Sequence, residues 1–233
     1  MNFFKNLAGA GKGKSHNMTE KELLRAITFD LKDCELKVDK EYELGWLNKD
    51  YVGHMLKITP TVSWKFDLRQ PQKAEDHYEA ECAGFNGKML STEVIEADGV
   101  EALMGVFKYR APDNVRGRMF VGIIWIPFAD CTIMLNVEAI ESGITGVRES
   151  LVAISEPLPV PEFAPDPIHV SSVEEMFAHM GKQPLTILPS DDPKWDAKFP
   201  DHPLSLVRAR LKRVVETLKL PEYFKGLEPF RVS

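Results

Sequence analysis

Residues 100–140, "VEALMGVFKYRAPDNVRGRMFVGIIWIPFADCTIMLNVEAI", hold three strand-length runs rich in β-branched and aromatic side chains. Turn-forming residues break them: "ADG" precedes the first run, and "APDNVRG", with Pro112 and Asn114, separates it from the second. Runs joined by short turns pair with their neighbours in sequence, so this stretch predicts an antiparallel meander. It is also the most apolar part of the chain. Pro127, Asp130 and Asn136 interrupt it between Met119 and Val137, which excludes a membrane span.

Working toward the N-terminus, "KMLSTEVIEAD" supplies one more strand. Before it, "PQKAEDHYEAECAGFNG" predicts a helix: Pro71 suits a first turn, and Ala74, Tyr78, Cys82 and Phe85 form one stripe. Gly84 or Gly87 would end it. "CELKVDKEYEL" predicts a half-buried strand, and "HMLKITPTVSWKFDL" a second in which Pro60 marks an edge or a break. Trp46 and Trp64 are placed in these two strands. Thr19 and Glu22 fit a capping box that opens a short helix. Residues 1–17, rich in glycine and lysine, are expected to be a flexible arm.

On the C-terminal side, "SGITGVRESLVAIS" predicts a helix packed back on the sheet. Five prolines in "EPLPVPEFAPDP" then impose an extended strap. A short helix near "SSVEEMFAHMG" and extended chain at "QPLTILP" follow. Asp201 and Pro203 read as the cap and first turn of a last helix. Its Leu204, Val207, Leu211, Val214, Val215 and Leu218 make a narrow apolar stripe that must find a surface. The expected organisation is an arm (1–17), an α+β domain (18–155) and a strap with a docked amphipathic helix (156–233).

An antiparallel sheet flanked by helices defines the α+β class. The element order over residues 34–154 resembles the Mog1/PsbP-like fold group, through the meander above followed by "GVRESLVAI". The resemblance implies a sandwich fold and a small non-catalytic binding module, such as an accessory protein or a chaperone of secreted partners. No site residue comes with it.

The 233 residues carry a net charge of −6, which disfavours nucleic acid as a partner. Three cysteines, an odd number without paired spacing, and the lack of an apolar secretory core predict a cytoplasmic protein. "AGAGKGKS" at 8–15 fits a loose phosphate-loop pattern, but no strand precedes it and the helix signal comes too late to cradle phosphate. The six histidines are scattered. His77 and Glu81 share a helix face, with no second pair to complete a zinc set. Asp191, Asp192, Asp196 and Asp201 lack the alternation and glycine of a calcium loop.

No catalytic, cofactor-binding or metal residues are therefore nominated, and no cofactor is expected. The expected partner is another protein, and the candidate partner-binding residues are Arg208, Arg210, Arg213, Trp195 and Phe199. The first three lie off the apolar stripe, and the two aromatics stand i, i+4 just before the helix. A toxin-neutralising (immunity) or secretion-chaperone role is one alternative. An enzyme whose site forms only in three dimensions is the other.

Overall fold

The structure is a computed structural model that describes residues 19–112, 117–143, 145–156, 172 and 184–232. The N-terminal arm, the proline strap and the helix near "SSVEEMFAHMG" lie outside the described residues, as does most of the "APDNVRG" connection. Helix α1 (Glu20–Ala26) starts at Thr19, whose hydroxyl accepts the Glu22 N–H while the Glu22 carboxylate accepts the Thr19 N–H at 2.7 Å.

Strands β1 (Cys34–Asp39), β2 (Glu43–Asn48) and β3 (Gly53–Pro60) come next. The single strand expected at "CELKVDKEYEL" is thus a hairpin, turned at residues 40–42. Strand β3 ends at Pro60, and Trp64 lies in the loop beyond it rather than in a strand. Helix α2 (Pro71–Gly84) buries Ala74, Tyr78 and Cys82, as the stripe predicts, but leaves Phe85 exposed. Asn86, not a glycine, takes the left-handed conformation (φ 53°) that ends α2. The Gly87 N–H then reaches the Cys82 carbonyl at 2.8 Å, and the Asn86 N–H reaches that of Ala83.

Strands β4 (Lys88–Ala97), β5 (Val100–Arg110), β6 (Arg118–Pro127) and β7 (Cys131–Ile140) form the expected meander. All pairings are antiparallel, and the seven strands run in the order β1-β2-β3-β7-β6-β5-β4. Helix α3 (Val147–Ser155), 3-10 turns at Pro189–Asp191 and Pro193–Trp195, α4 (Pro203–Thr217) and α5 (Glu222–Lys225) complete the described chain. This is the α+β class.

Alternation along β6 divides the core. Phe120, Ile124 and Ile126 join a cluster with Leu24 of α1, Phe224 of α5 and the α4 stripe Leu204, Val207, Leu211, Val214 and Leu218. Val121 and Trp125 face the other way, into an aromatic cluster under α2. There Trp64 donates to the Tyr78 hydroxyl at 3.0 Å, and Tyr78 stacks on Trp125 at 4.6 Å. The α4 stripe is therefore part of the main core. Gly122 of β6 makes its seat, because a Cβ there would lie 2.3 Å from the Leu211 Cδ1. Residue 202, not Asp201, caps α4: the His202 Nδ1 accepts the Leu204 N–H at 3.2 Å.

Helix α3 departs from expectation. It packs against the 3-10 turn at 189–191 and buries Arg148 and Val152, leaving Val147, Leu151 and Ile154 in solvent. Its apolar stripe is not the side that docks.

Asp98 and Gly99, with φ 49° and 85°, form the two-residue β4–β5 turn. The Asp98 carboxylate accepts the Leu220 N–H at 2.8 Å and also pairs with Lys225 and Lys219, which ties the end of α4 to the hairpin. Those contacts, the Leu220 N–H first, lower the Asp98 pKa to about 2. The folded value lies below the unfolded value of about 3.9, so the stabilisation is complete above about pH 5 and is lost as pH falls through about 2. Urea titration of Asp98→Asn is expected to show a deficit of about 1–2 kcal/mol at pH 7 that narrows steadily toward pH 2. A deficit independent of pH would remove the carboxylate from the account.

Candidate functional site

The acidic loop at 189–201 is held by buried cations. Lys108, on β5 and 2% exposed, donates to Asp191 at 2.5 Å and to the Thr186 carbonyl at 2.8 Å. Asp191 also accepts the Leu188 N–H. Arg148 is 1% exposed and donates to the Ser190 carbonyl, the Ser205 hydroxyl, the Asp192 carbonyl and the Asp196 carboxylate. Arg208 adds bonds to Asp196 and to the Asp191 carbonyl at 2.6 Å. Four of the five N–H donors of Arg148 are used in these bonds, so this network is structural anchoring of the loop.

The network fixes the sequence-nominated residues. Arg208 is turned inward. Trp195 and Phe199 are half-buried and 6.5 Å apart, and the Arg148 guanidinium lies 5.9 Å from the Phe199 ring. Arg213 pairs with Asp30. Arg210 and Lys32 make no salt bridge among the described residues. They border a shallow hollow of about 550 Å³ on the outer side of α4, with Lys212, Arg213, Asp33 and Glu216. Burial, then the charge of Arg210, pulls the nearby His54 down to about 4, so at pH 7 that imidazole is neutral. The nominated residues thus separate into an inward set (Arg208, Trp195, Phe199) and an outward basic set (Arg210, Arg213).

A second concavity, of about 380 Å³, lies between the end of β7, the start of α3 and the start of α4. Glu141 and His202 line it, and Glu149 lies beside them, with one ligating atom of each of the three within 4.8 Å of the others. Gly143 and Gly146, with φ 70° and 77°, turn the chain between β7 and α3 so that both glutamates face the same point. Glu141 accepts the Arg118 N–H at 2.7 Å. Burial works to raise its pKa, but His202 and the Arg118 N–H hold it below the usual carboxylate range. No spacing in the sequence announces this cluster, because its members sit on three elements.

The cysteines are all free. Burial pushes the Cys131 thiol up to about 12, which makes it inert packing. Among the described residues no helix is long and apolar enough to cross a membrane.

No protein-family model matches this chain, and no curated protein matches it significantly. Among solved structures it is similar to the Ran-binding protein Mog1p of Saccharomyces cerevisiae, at 12% identity and a TM-score of 0.44 over 84% of this chain and 90% of that one. A mutant form of Mog1 gives a TM-score of 0.37 at 12% identity, with the same coverage. Neither match is to a PsbP protein. At this identity and score the likeness supplies no partner and no site, and the α+β architecture rests on the strands and helices themselves.

Proposed function

We propose that the protein is a non-catalytic, cytoplasmic protein-binding module whose outward basic face on α4 meets an acidic surface of its partner. The observation that carries this is the hollow bordered by Lys32, Arg210, Lys212 and Arg213 on a chain of net charge −6. Asp33 and Glu216 also border the hollow, so its four cations leave a net positive excess, and a local excess of one sign on a protein of the other steers association and selects partners. Arg210 carries the most weight, since it has a fork of donors and makes no salt bridge among the described residues. Arg208, which the fold turns inward, has no part in this face.

The test compares wild-type protein with an Arg210→Glu/Lys212→Glu double variant, both immobilised in cell extract, with bound proteins identified by mass spectrometry. An acidic partner is expected on the wild type, weakened by salt and lost on charge reversal. A wild-type bait whose partners all survive the reversal would sink the assignment of this face.

A second reading, an enzyme whose site forms only in three dimensions, has one observation in its favour: the convergence of Glu141, Glu149 and His202 beside a concavity that the first and last of them line. Turnover of hydrolase substrates that vanished in Glu149→Gln would favour that reading over the first.

A further inference from the structure

Glu141, Glu149 and His202 are held by three different elements, and two of their buried polar atoms lack any hydrogen-bond partner among the described residues. These are the Glu149 Oε2 and the His202 Nε2. The His202 Nε2 lies 3.5 Å from the Glu141 Oε1 and 3.8 Å from the Glu149 Oε1. Those distances are long for hydrogen bonds. They are close to the separation of about 3.3 Å between ligand atoms arranged tetrahedrally around an ion at about 2.0–2.1 Å. The side chains of Glu141, His202 and Glu149 are 8%, 11% and 26% exposed, so two members are largely out of water and the third is half-buried.

The surrounding charge also calls for a cation. Asp50 and Asp201, both exposed, line the concavity together with Glu141. Arg148 lines it too, but its guanidinium is spent on the 189–196 loop and on Ser205. Lys198 also lines it, with its ammonium 5.2 Å from the Trp195 ring. Glu141 is the buried carboxylate of this group, and a buried carboxylate is unfavourable unless it is paired or coordinates a metal.

We propose that Glu141, Glu149 and His202 bind a divalent first-row cation of the zinc type, with a fourth position open to the cavity. Two carboxylates and an imidazole are the borderline donor set that suits such ions. The ring of His202 is held at 5.4 Å from that of Phe120, so the imidazole is already oriented. Coordination has a consequence for α4. In the metal-free neutral ring, Nδ1 accepts the Leu204 N–H, so the ring proton sits on Nε2. A metal takes the Nε2 lone pair, the proton moves to Nδ1, and the Leu204 N–H loses its acceptor. Occupancy of the site is thereby coupled to the N-terminal cap of α4.

The test uses the full chain, stripped with chelator, then titrated with Zn²⁺ by calorimetry and with Co²⁺ by visible absorption. One ion per chain is expected, with the intense cobalt bands of a low-coordinate site and a shift of the Leu204 amide resonance. Glu149→Gln should weaken binding by at least about tenfold, since even outer-shell partners contribute that much. Its metal-free unfolding midpoint should match that of the wild type, because the Glu149 carboxylate makes no hydrogen bond among the described residues. His77→Ala should bind as the wild type does. Absence of binding at micromolar metal, unchanged affinity in Glu149→Gln, or loss of binding in His77→Ala would each overturn the proposal.

Discussion

Replacing Arg148 by methionine is expected to lower the unfolding free energy by about 3–5 kcal/mol, the range found when one partner of a buried ionic network is removed. The guanidinium is 1% exposed and serves two carbonyls, one hydroxyl and one carboxylate. Methionine fills much of the volume but returns none of those bonds, so buried acceptors lose their donors. Arg208 remains beside Asp196, which keeps that carboxylate from being wholly unpaired. Urea denaturation of the full chain gives the measurement, and the thermal midpoint should fall by roughly 6–20 °C. A loss under about 1 kcal/mol would mean that the 189–196 loop is held mainly by something else. Lys108→Met should act in the same direction, since it strands Asp191, which is itself 5% exposed.

The second large effect belongs to Leu211→Ala, with an expected cost of about 2–5 kcal/mol. Leu211 is 1% exposed and enters the notch that Gly122 leaves in β6, beside Val207. Rigid strand on one side and helix on the other leave little scope for collapse, which favours the upper part of that range. The complementary change, Gly122→Val, fills the notch from below and should be at least as damaging, because Leu211 and Val207 would have to move. Cooperative loss of the whole chain, followed by circular dichroism and tryptophan fluorescence together, is the expected form of the Leu211→Ala transition. Separate transitions for helix and sheet would show that α4 is an attachment to an otherwise independent domain.

Patterns of local origin were legible in the sequence. Strands β4–β7 follow from runs and turn residues, α2 from its Ala74–Tyr78–Cys82 stripe, and the burial of α4 from its leucines and valines. The β1–β2 hairpin was not, because residues 40–42 carry no glycine, proline or asparagine to mark a turn. Helix α3 misled for a different reason. Its apolar residues form a regular stripe, yet the side that docks is the one bearing Arg148, whose acceptors lie at residues 190–196 and 205. Periodicity counts apolar side chains and gives no weight to an arginine whose donors are satisfied. The Glu141–Glu149–His202 cluster was equally hidden, since its members lie at the end of β7, in the first turn of α3 and at the cap of α4. The inward turn of Arg208 depends on the same loop and could not be separated from the outward position of Arg210 by spacing alone.

The strand order has a consequence for how the chain folds. Strands β1–β3 form one consecutive meander and β4–β7 another, and the two are joined along β3 and β7, where Gly53 pairs with Glu138 and Pro60 with Cys131. Within each meander the loops to be closed are short, so each can nucleate from its own hairpins. The seam between them closes a far longer loop and encloses the whole of α2 and β4–β6. The Leu56–Leu135 and Ile58–Ile133 pairs, at the middle of that seam and nearly or fully excluded from solvent, are therefore the contacts with the largest loop-closure cost, and substitutions there are expected to slow folding more than those inside either meander.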